Sequence, residues 1–214
     1  MSGAGPGGAG FEGVTAEGAA PVGEPGNTIE PVGLPQTTVD RVGPGGGVAS
    51  DSAFGVALVT LWQQVAESGG PVGFPPPVVR SEVAAKAALL VDGVKTGRLI
   101  AVAANRARRL IGVGFLALGR GQYRHTGRLE LLLVDPAQTG AGLGSRLLGE
   151  LLSSARTGGL RLLDVQIQDD AGLADFFSRF GFTEWGRRPG WIELGTATDG
   201  TRHGTDEVLL GVKL

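Results

Sequence analysis

The chain has 214 residues, a formal net charge of -2 and no cysteine, so disulfides, thiolate metal sites and a cysteine nucleophile are excluded. The near-balance of charge argues against a nucleic-acid partner, and two histidines far apart in sequence, His125 and His203, do not seed a metal site, so no metal is expected. Glycine, at 39 residues, far exceeds its usual share of about 7 %.

Residues 1–36 carry scattered Gly and Pro, four Glu and no Lys or Arg. Their isolated apolar residues cannot offset the entropy of ordering, so the expectation is a disordered tail ahead of one domain at 37–214. The opening MSGAGPGGAG has neither the basic start nor the apolar run of a signal peptide. No stretch approaches the roughly 18 apolar residues of a membrane span, which points to a cytoplasmic protein with no membrane partner.

TTVDRV predicts a first strand at 37–42, leaving through glycines at 43–47. Val56, Leu58, Val59, Leu61, Trp62 and Val65 then recur at helical spacing, with Asp51 or Ser52 as the cap. SGGPVGFPPP at 68–77 must be a loop, because three successive prolines support neither helix nor central strand. A second helix follows from Ser81 to about Val94. RLIAVAA (98–104) and RLIGVGFLALG (109–119) form a hairpin about a short Asn-Arg turn. RLELLLV (128–134) is a further strand ended by Asp135-Pro136, and 142–155 is an amphipathic helix. RLLDVQIQ (161–168) alternates as a strand, and LADFFSRF (173–180) is a short helix stopped by Gly181. FTEWG, WIEL and 206–214 are late strands joined through Asp199-Gly200. Hairpins imply antiparallel pairing and the strand–helix–strand unit implies parallel pairing, so an α/β (α+β) domain with a mixed, mostly antiparallel sheet is expected.

VDPAQTGAGLGSRLL places glycines 140, 142 and 144 between a strand and a helix. Such a loop aims main-chain N–H groups into one space, and the helix start adds unpaired donors and a partial positive charge, which together cradle a phosphate. A Walker loop would end in Gly-Lys-Ser/Thr, but Gly144 is followed by Ser145-Arg146. A dinucleotide fingerprint needs a glycine where Ser145 stands, although Asp164 lies at a suitable distance for a ribose contact. The third reading is the pyrophosphate loop of a coenzyme A acyltransferase.

LLVDPAQTGAGLGSRLLGELL resembles the acetyl-coenzyme A motif of the GNAT superfamily of N-acetyltransferases, and FFSRFGF (176–182) is similar to its second motif. Three stretches, SGGPVGF, RRPGW and DGTRHGT with VLLGVKL, further resemble the tabtoxin-resistance type. The resemblance covers about 37–214 and implies a GNAT-like sheet with helices on both faces, acetyl-CoA as co-substrate and a small-molecule amine as acceptor; a homodimer stays open. It implies that the backbone of Leu132, Leu133 and Val134 pairs with the pantetheine arm. It implies also that N–H groups of Thr139, Gly140, Ala141, Gly142, Leu143, Gly144 and Ser145 hold the pyrophosphate.

Glu130 alternates with Leu132 and Val134, and is expected on their face, where it would accept the amine proton through a water. Pairing with Arg128 is the competing expectation for this carboxylate. Two departures stand out: Thr139 occupies a place usually held by Arg or Gln, and Phe177 replaces the tyrosine that many members use as general acid. Tyr123 is a substitute donor, Ser178 a candidate coenzyme A contact, and Trp185 and Trp191 are expected in the core or pocket wall. Phe177 also motivates a rival reading, an acyl-CoA-binding module without catalysis; Gly142 and Asp164 motivate another, a dinucleotide binder.

Overall fold

Alternation of apolar residues and short polar turns fold this chain into a seven-stranded sheet, described in a computed structural model over residues 37–43, 46–169, 172–196 and 202–214. The expected tail at 1–36 and the expected turn at Asp199-Gly200 lie outside the described residues. The chain begins with β1 (Thr38–Val42) and two helices, α1 (Ser52–Glu67) and α2 (Arg80–Lys95). Asp51 caps α1, its Oδ1 accepting the Phe54 N–H at 2.9 Å.

Strands β2 (Leu99–Arg106) and β3 (Arg109–Leu118) form the expected hairpin. Its turn sits at Ala107-Arg108 rather than at Asn105-Arg106, which stay in the strand. Both turn residues have left-handed φ, 49° and 62°, the mirror-type turn whose twist suits a hairpin. Next come β4 (Thr126–Val134), α3 (Leu143–Thr157), β5 (Leu162–Gln168) and α4 (Leu173–Ser178). The FTEWG and WIEL pieces join in one long strand, β6 (Thr183–Thr196), whose pairing with β7 (Arg202–Lys213) is irregular around Pro189, a residue with no N–H to give the ladder.

The sheet order is β1-β2-β3-β4-β5-β7-β6. Neighbours are antiparallel except β4 and β5, which α3 connects and which run parallel. Helices cover both faces. Leu58, Leu61 and Trp62 of α1 and Val83, Leu90 and Val94 of α2 form one core with Phe115 and Leu133. Leu147, Leu148, Leu151 and Leu152 of α3 form the other with Val102, Val165 and Val208. On β3, Gly112 and Gly114 let α3 approach closely: a Cβ at either would lie 2.8 Å from Leu147 or 2.6 Å from Leu151. Among the described residues no helix is long and apolar enough to cross a membrane.

Candidate active site

The sheet forks between β4 and β5. Their pairing covers only Thr126 to Leu129 on β4, whereas β4 stays bonded to β3 as far as Val134 and β5 stays bonded to β7 as far as Gln168. From Glu130 to Val134 the β5-facing edge of β4 therefore has no strand partner among the described residues. The fork opens a cleft of about 660 Å³. One wall is Trp62, the Pro71–Phe74 loop and Leu90 from the α1–α2 side, and the far wall is Leu173, Phe176 and Phe177. Glu130, Leu132, Gln166 and Gln168 line the two prongs.

A single extra residue positions Glu130. Phe115 and Leu116 of β3 oppose Leu131 and Leu129, so Glu130 is a β-bulge without a partner on β3, a feature that bends and twists a strand. Beyond it the phase of β4 changes. Leu129, Leu132 and Val134 pack with the α3 core, and Leu131 and Leu133 with the α1–α2 core. Leu129 and Leu132 thus share a face although three residues apart, and Glu130 falls with Leu131 on the other. The expectation that Glu130 shares the face of Leu132 and Val134 fails for this reason: strict alternation holds only in an unbulged strand. Glu130 is exposed and lines the cleft from the opposite side. No salt bridge joins it to Arg128, whose guanidinium bonds Asp164 at 2.6 Å; that hydrogen bond chiefly, and the nearby Glu130 charge to a smaller extent, raise Arg128 above its ordinary pKa. Asp164 is therefore occupied within the protein, which removes the residue the dinucleotide reading needed.

The strand-to-helix loop is built on a buried carboxylate. Asp135 accepts from Arg109 Nη2 at 2.7 Å through Oδ2 and from the Ala137 N–H at 2.9 Å through Oδ1. It thereby fixes a 3-10 turn at Pro136–Gln138. Gly140 and Gly142 follow at φ 80° and 76°, left-handed values that side chains resist, and Gly142 caps α3. The Thr139 N–H is used by the Pro136 carbonyl and the Ala141 N–H by Gln138, each at 3.3 Å. Among the described residues, the N–H groups of Gly140, Gly142, Leu143, Gly144 and Ser145 have no main-chain acceptor. Gly140, Ala141 and Gly142 are exposed, and Leu143 anchors the helix start in the core. The loop adjoins the cleft through Phe176, 3.6 Å from where a Gly144 Cβ would stand.

Phe177 is buried between Phe176 and Phe182, with ring centroids at 5.1 and 5.4 Å, and lines the cleft without a proton to give. Tyr123 does not replace it. It is exposed in the 3-10 turn before β4, beyond the end of that strand remote from the loop. The Ser178 hydroxyl donates to the Asp175 carbonyl at 2.9 Å in its own helix. Trp185 and Trp191, expected in the core or pocket wall, are 47 % and 64 % exposed and line neither. The reason is their position on the edge strand β6: Trp185 lies flat on Gly211, and Trp191 takes the Arg188 guanidinium at 5.0 Å.

Several cleft residues escaped the sequence reading. Glu207 of β7 lines the cleft and is bound to Arg188 at 2.8 Å. Beside it Arg187 binds Glu184, Asp169 and Asp206, and these hydrogen bonds hold its pKa above the ordinary arginine value. The Gly190 N–H and then Arg187 hold the Asp206 carboxyl below its usual value. Lys86 stands at the rim of the cleft, one turn before Leu90 on α2. These residues meet only when β5, β6, β7 and α2 are assembled. Among the described residues no three His, Cys, Asp or Glu gather as metal ligands.

The family model for the acetyltransferase (GNAT) domain matches residues 83–189. The N-alpha-acetyltransferase RimI of Mycobacterium tuberculosis is 49 % identical over 55 residues, which are 26 % of this chain and 34 % of that protein, so the match spans about a third of the relative's length. Among solved structures, the Escherichia coli ribosomal-protein-S18-alanine N-acetyltransferase superposes with a TM-score of 0.60 at 16 % identity, covering 83 % of this chain and 94 % of its own. The Salmonella typhimurium protein yncA, solved with its cofactor acetyl-CoA, superposes at 0.62 with 18 % identity over 83 % and 94 %. At these identities the structures speak for the shared fold.

Proposed function

The chain belongs to the GNAT acetyltransferase family, and from that premise we propose that it passes an acetyl group from acetyl-CoA directly to the primary amine of a small molecule, with both substrates in the fork at once. The observation that carries this reading is the unpaired edge of β4 from Glu130 to Val134, which leads straight into a loop of unengaged N–H groups. An extended pantetheine arm is chemically matched to a free strand edge, which offers alternating N–H and C=O groups at Leu132, Leu133 and Val134. The amides of Gly140 and of Gly142 to Ser145 suit the diphosphate, with Thr139 and Ala141 setting the loop's shape rather than donating.

Holding both substrates removes the entropic cost of a bimolecular encounter. The amine nitrogen attacks the thioester carbonyl carbon, the C–N bond forms, and the C–S bond breaks with its electron pair left on sulfur. Glu130 takes the proton shed by the nitrogen through a water, from the face of β4 opposite Leu132. Phe177 leaves the departing thiolate to be protonated by solvent.

A thiol-release assay with acetyl-CoA over a panel of small amines tests this, with Glu130→Gln beside the parent chain. Turnover is expected, with kcat/KM about 100-fold lower in Glu130→Gln. Absence of calorimetric affinity for coenzyme A would refute the reading, and unchanged kcat/KM in Glu130→Gln would remove the base. An N-terminal peptide belongs in the panel, because a 55-residue stretch is 49 % identical to a protein whose name is N-alpha-acetyltransferase.

A further inference from the structure

The charges of the cleft are unevenly spent. Glu207 is neutralised by Arg188 at 2.8 Å. Two charged side chains that line the cleft, Glu130 on β4 and Lys86 on α2, make no ion pair or side-chain hydrogen bond among the described residues. They stand on different elements and have opposite sign. The wall on the Lys86 side is rigid and apolar: the Trp62 indole N–H donates to the Val72 carbonyl at 3.0 Å, and Trp62 meets Phe74 edge-on at 5.4 Å. Leu90, one turn beyond Lys86, is buried against the same core.

A ligand that satisfies this surface carries a cationic or nucleophilic nitrogen at one end, an anion at the other and an apolar body between. From this arrangement, and resting on the transferase reading above, we infer that the acceptor is a small zwitterion of the amino-acid type. Its amine lies at Glu130, its carboxylate or equivalent oxyanion at Lys86, and its side chain against Trp62 and Phe74. Lys86 is then a specificity-determining residue that never touches the reacting atoms. A polyamine would bring a second cation to Lys86, and a peptide amide would leave Lys86 without its partner.

The test is steady-state thiol release with acetyl-CoA and matched acceptors: the free amino acids, their amides, a diamine and a short peptide. The kcat/KM ratio of free acid to amide is expected at about two- to five-fold in the parent chain, the range of one exposed ion pair. In Lys86→Met it falls to about one, in Lys86→Arg it is retained, and in Lys86→Glu it shifts toward the diamine. An amide used as well as its acid overturns the inference, as does a ratio unmoved by Lys86→Met, or a panel in which no free amino acid releases thiol. In the last case, turnover of the peptide or diamine leaves the transferase reading standing. Loss of all thiol release together with loss of coenzyme A affinity removes that reading as well.

Discussion

Arg128 and Asp164 face each other in register across β4 and β5, and their ion pair closes at 2.6 Å one rung before the strands separate. The pair lies where two parallel strands must hold together below the vertex and part above it. Their side chains are 46 % and 18 % exposed, so solvent screens much of the attraction. A double-mutant cycle with Arg128→Gln and Asp164→Asn, read by urea unfolding, is expected to give a coupling of roughly 0.5–1 kcal/mol. A coupling near zero would show that hydrogen bonding of the strands alone keeps the vertex closed.

The two glycines at the start of α3 should behave oppositely. Gly142 has φ 76°, so Gly142→Ala is expected to destabilise by about 1–2 kcal/mol and to weaken coenzyme A binding about ten-fold by turning its amides. Gly144 is helical, and an added Cβ would meet Phe176 at an ordinary 3.6 Å. Gly144→Ala is therefore expected to leave stability within about 0.5 kcal/mol or to raise it slightly. Thermal melts and calorimetry on the two variants distinguish these outcomes.

No tyrosine lines the cleft among the described residues. Tyr123 is the only tyrosine in the sequence, and it lies exposed away from the cleft. Tyr123→Phe is expected to leave kcat within about two-fold, since general-acid assistance is worth roughly 100-fold or more where it operates. A fall of that size would place Tyr123 in the reaction after all.

The β6–β7 hairpin carries a pH-dependent tie. The Gly190 N–H, at 2.9 Å from Asp206 Oδ1, and then Arg187 hold the Asp206 carboxyl below 3.8. A value lower in the folded than in the unfolded chain makes this contribution complete above the unfolded value and lost as pH falls through the folded one. The amide resonance of Gly190 is expected to titrate with a midpoint below 3.8 and to stop responding in Asp206→Asn. A midpoint at or above 3.8 would mean the contact does not favour the carboxylate.

Much of this architecture is written locally. The Asp51 cap, the amphipathic stripe of α3 and the glycines between β4 and α3 follow from short-range rules, and the order of strands and helices follows with them. The site was less legible. The bulge at Glu130 leaves RLELLLV looking like an unbroken alternating strand, because leucine suits either core and its identity does not reveal which core it fills. Trp185 and Trp191 invite an interior placement by composition, yet edge position and the flat seat on Gly211 decide otherwise. Lys86, Glu207 and Arg188 come from distant segments, so their meeting depends on tertiary assembly.

The unpartnered residue at position 130 also marks where this chain can change length. Deleting that residue would set Leu131 directly after Leu129, opposite Phe115 and Leu116 as before, so Leu131 to Val134 would keep their cores and Asp135 its reach to Arg109. The extra residue therefore serves the cleft, adding a carboxylate and a bend, and the packing of the prong does not depend on it.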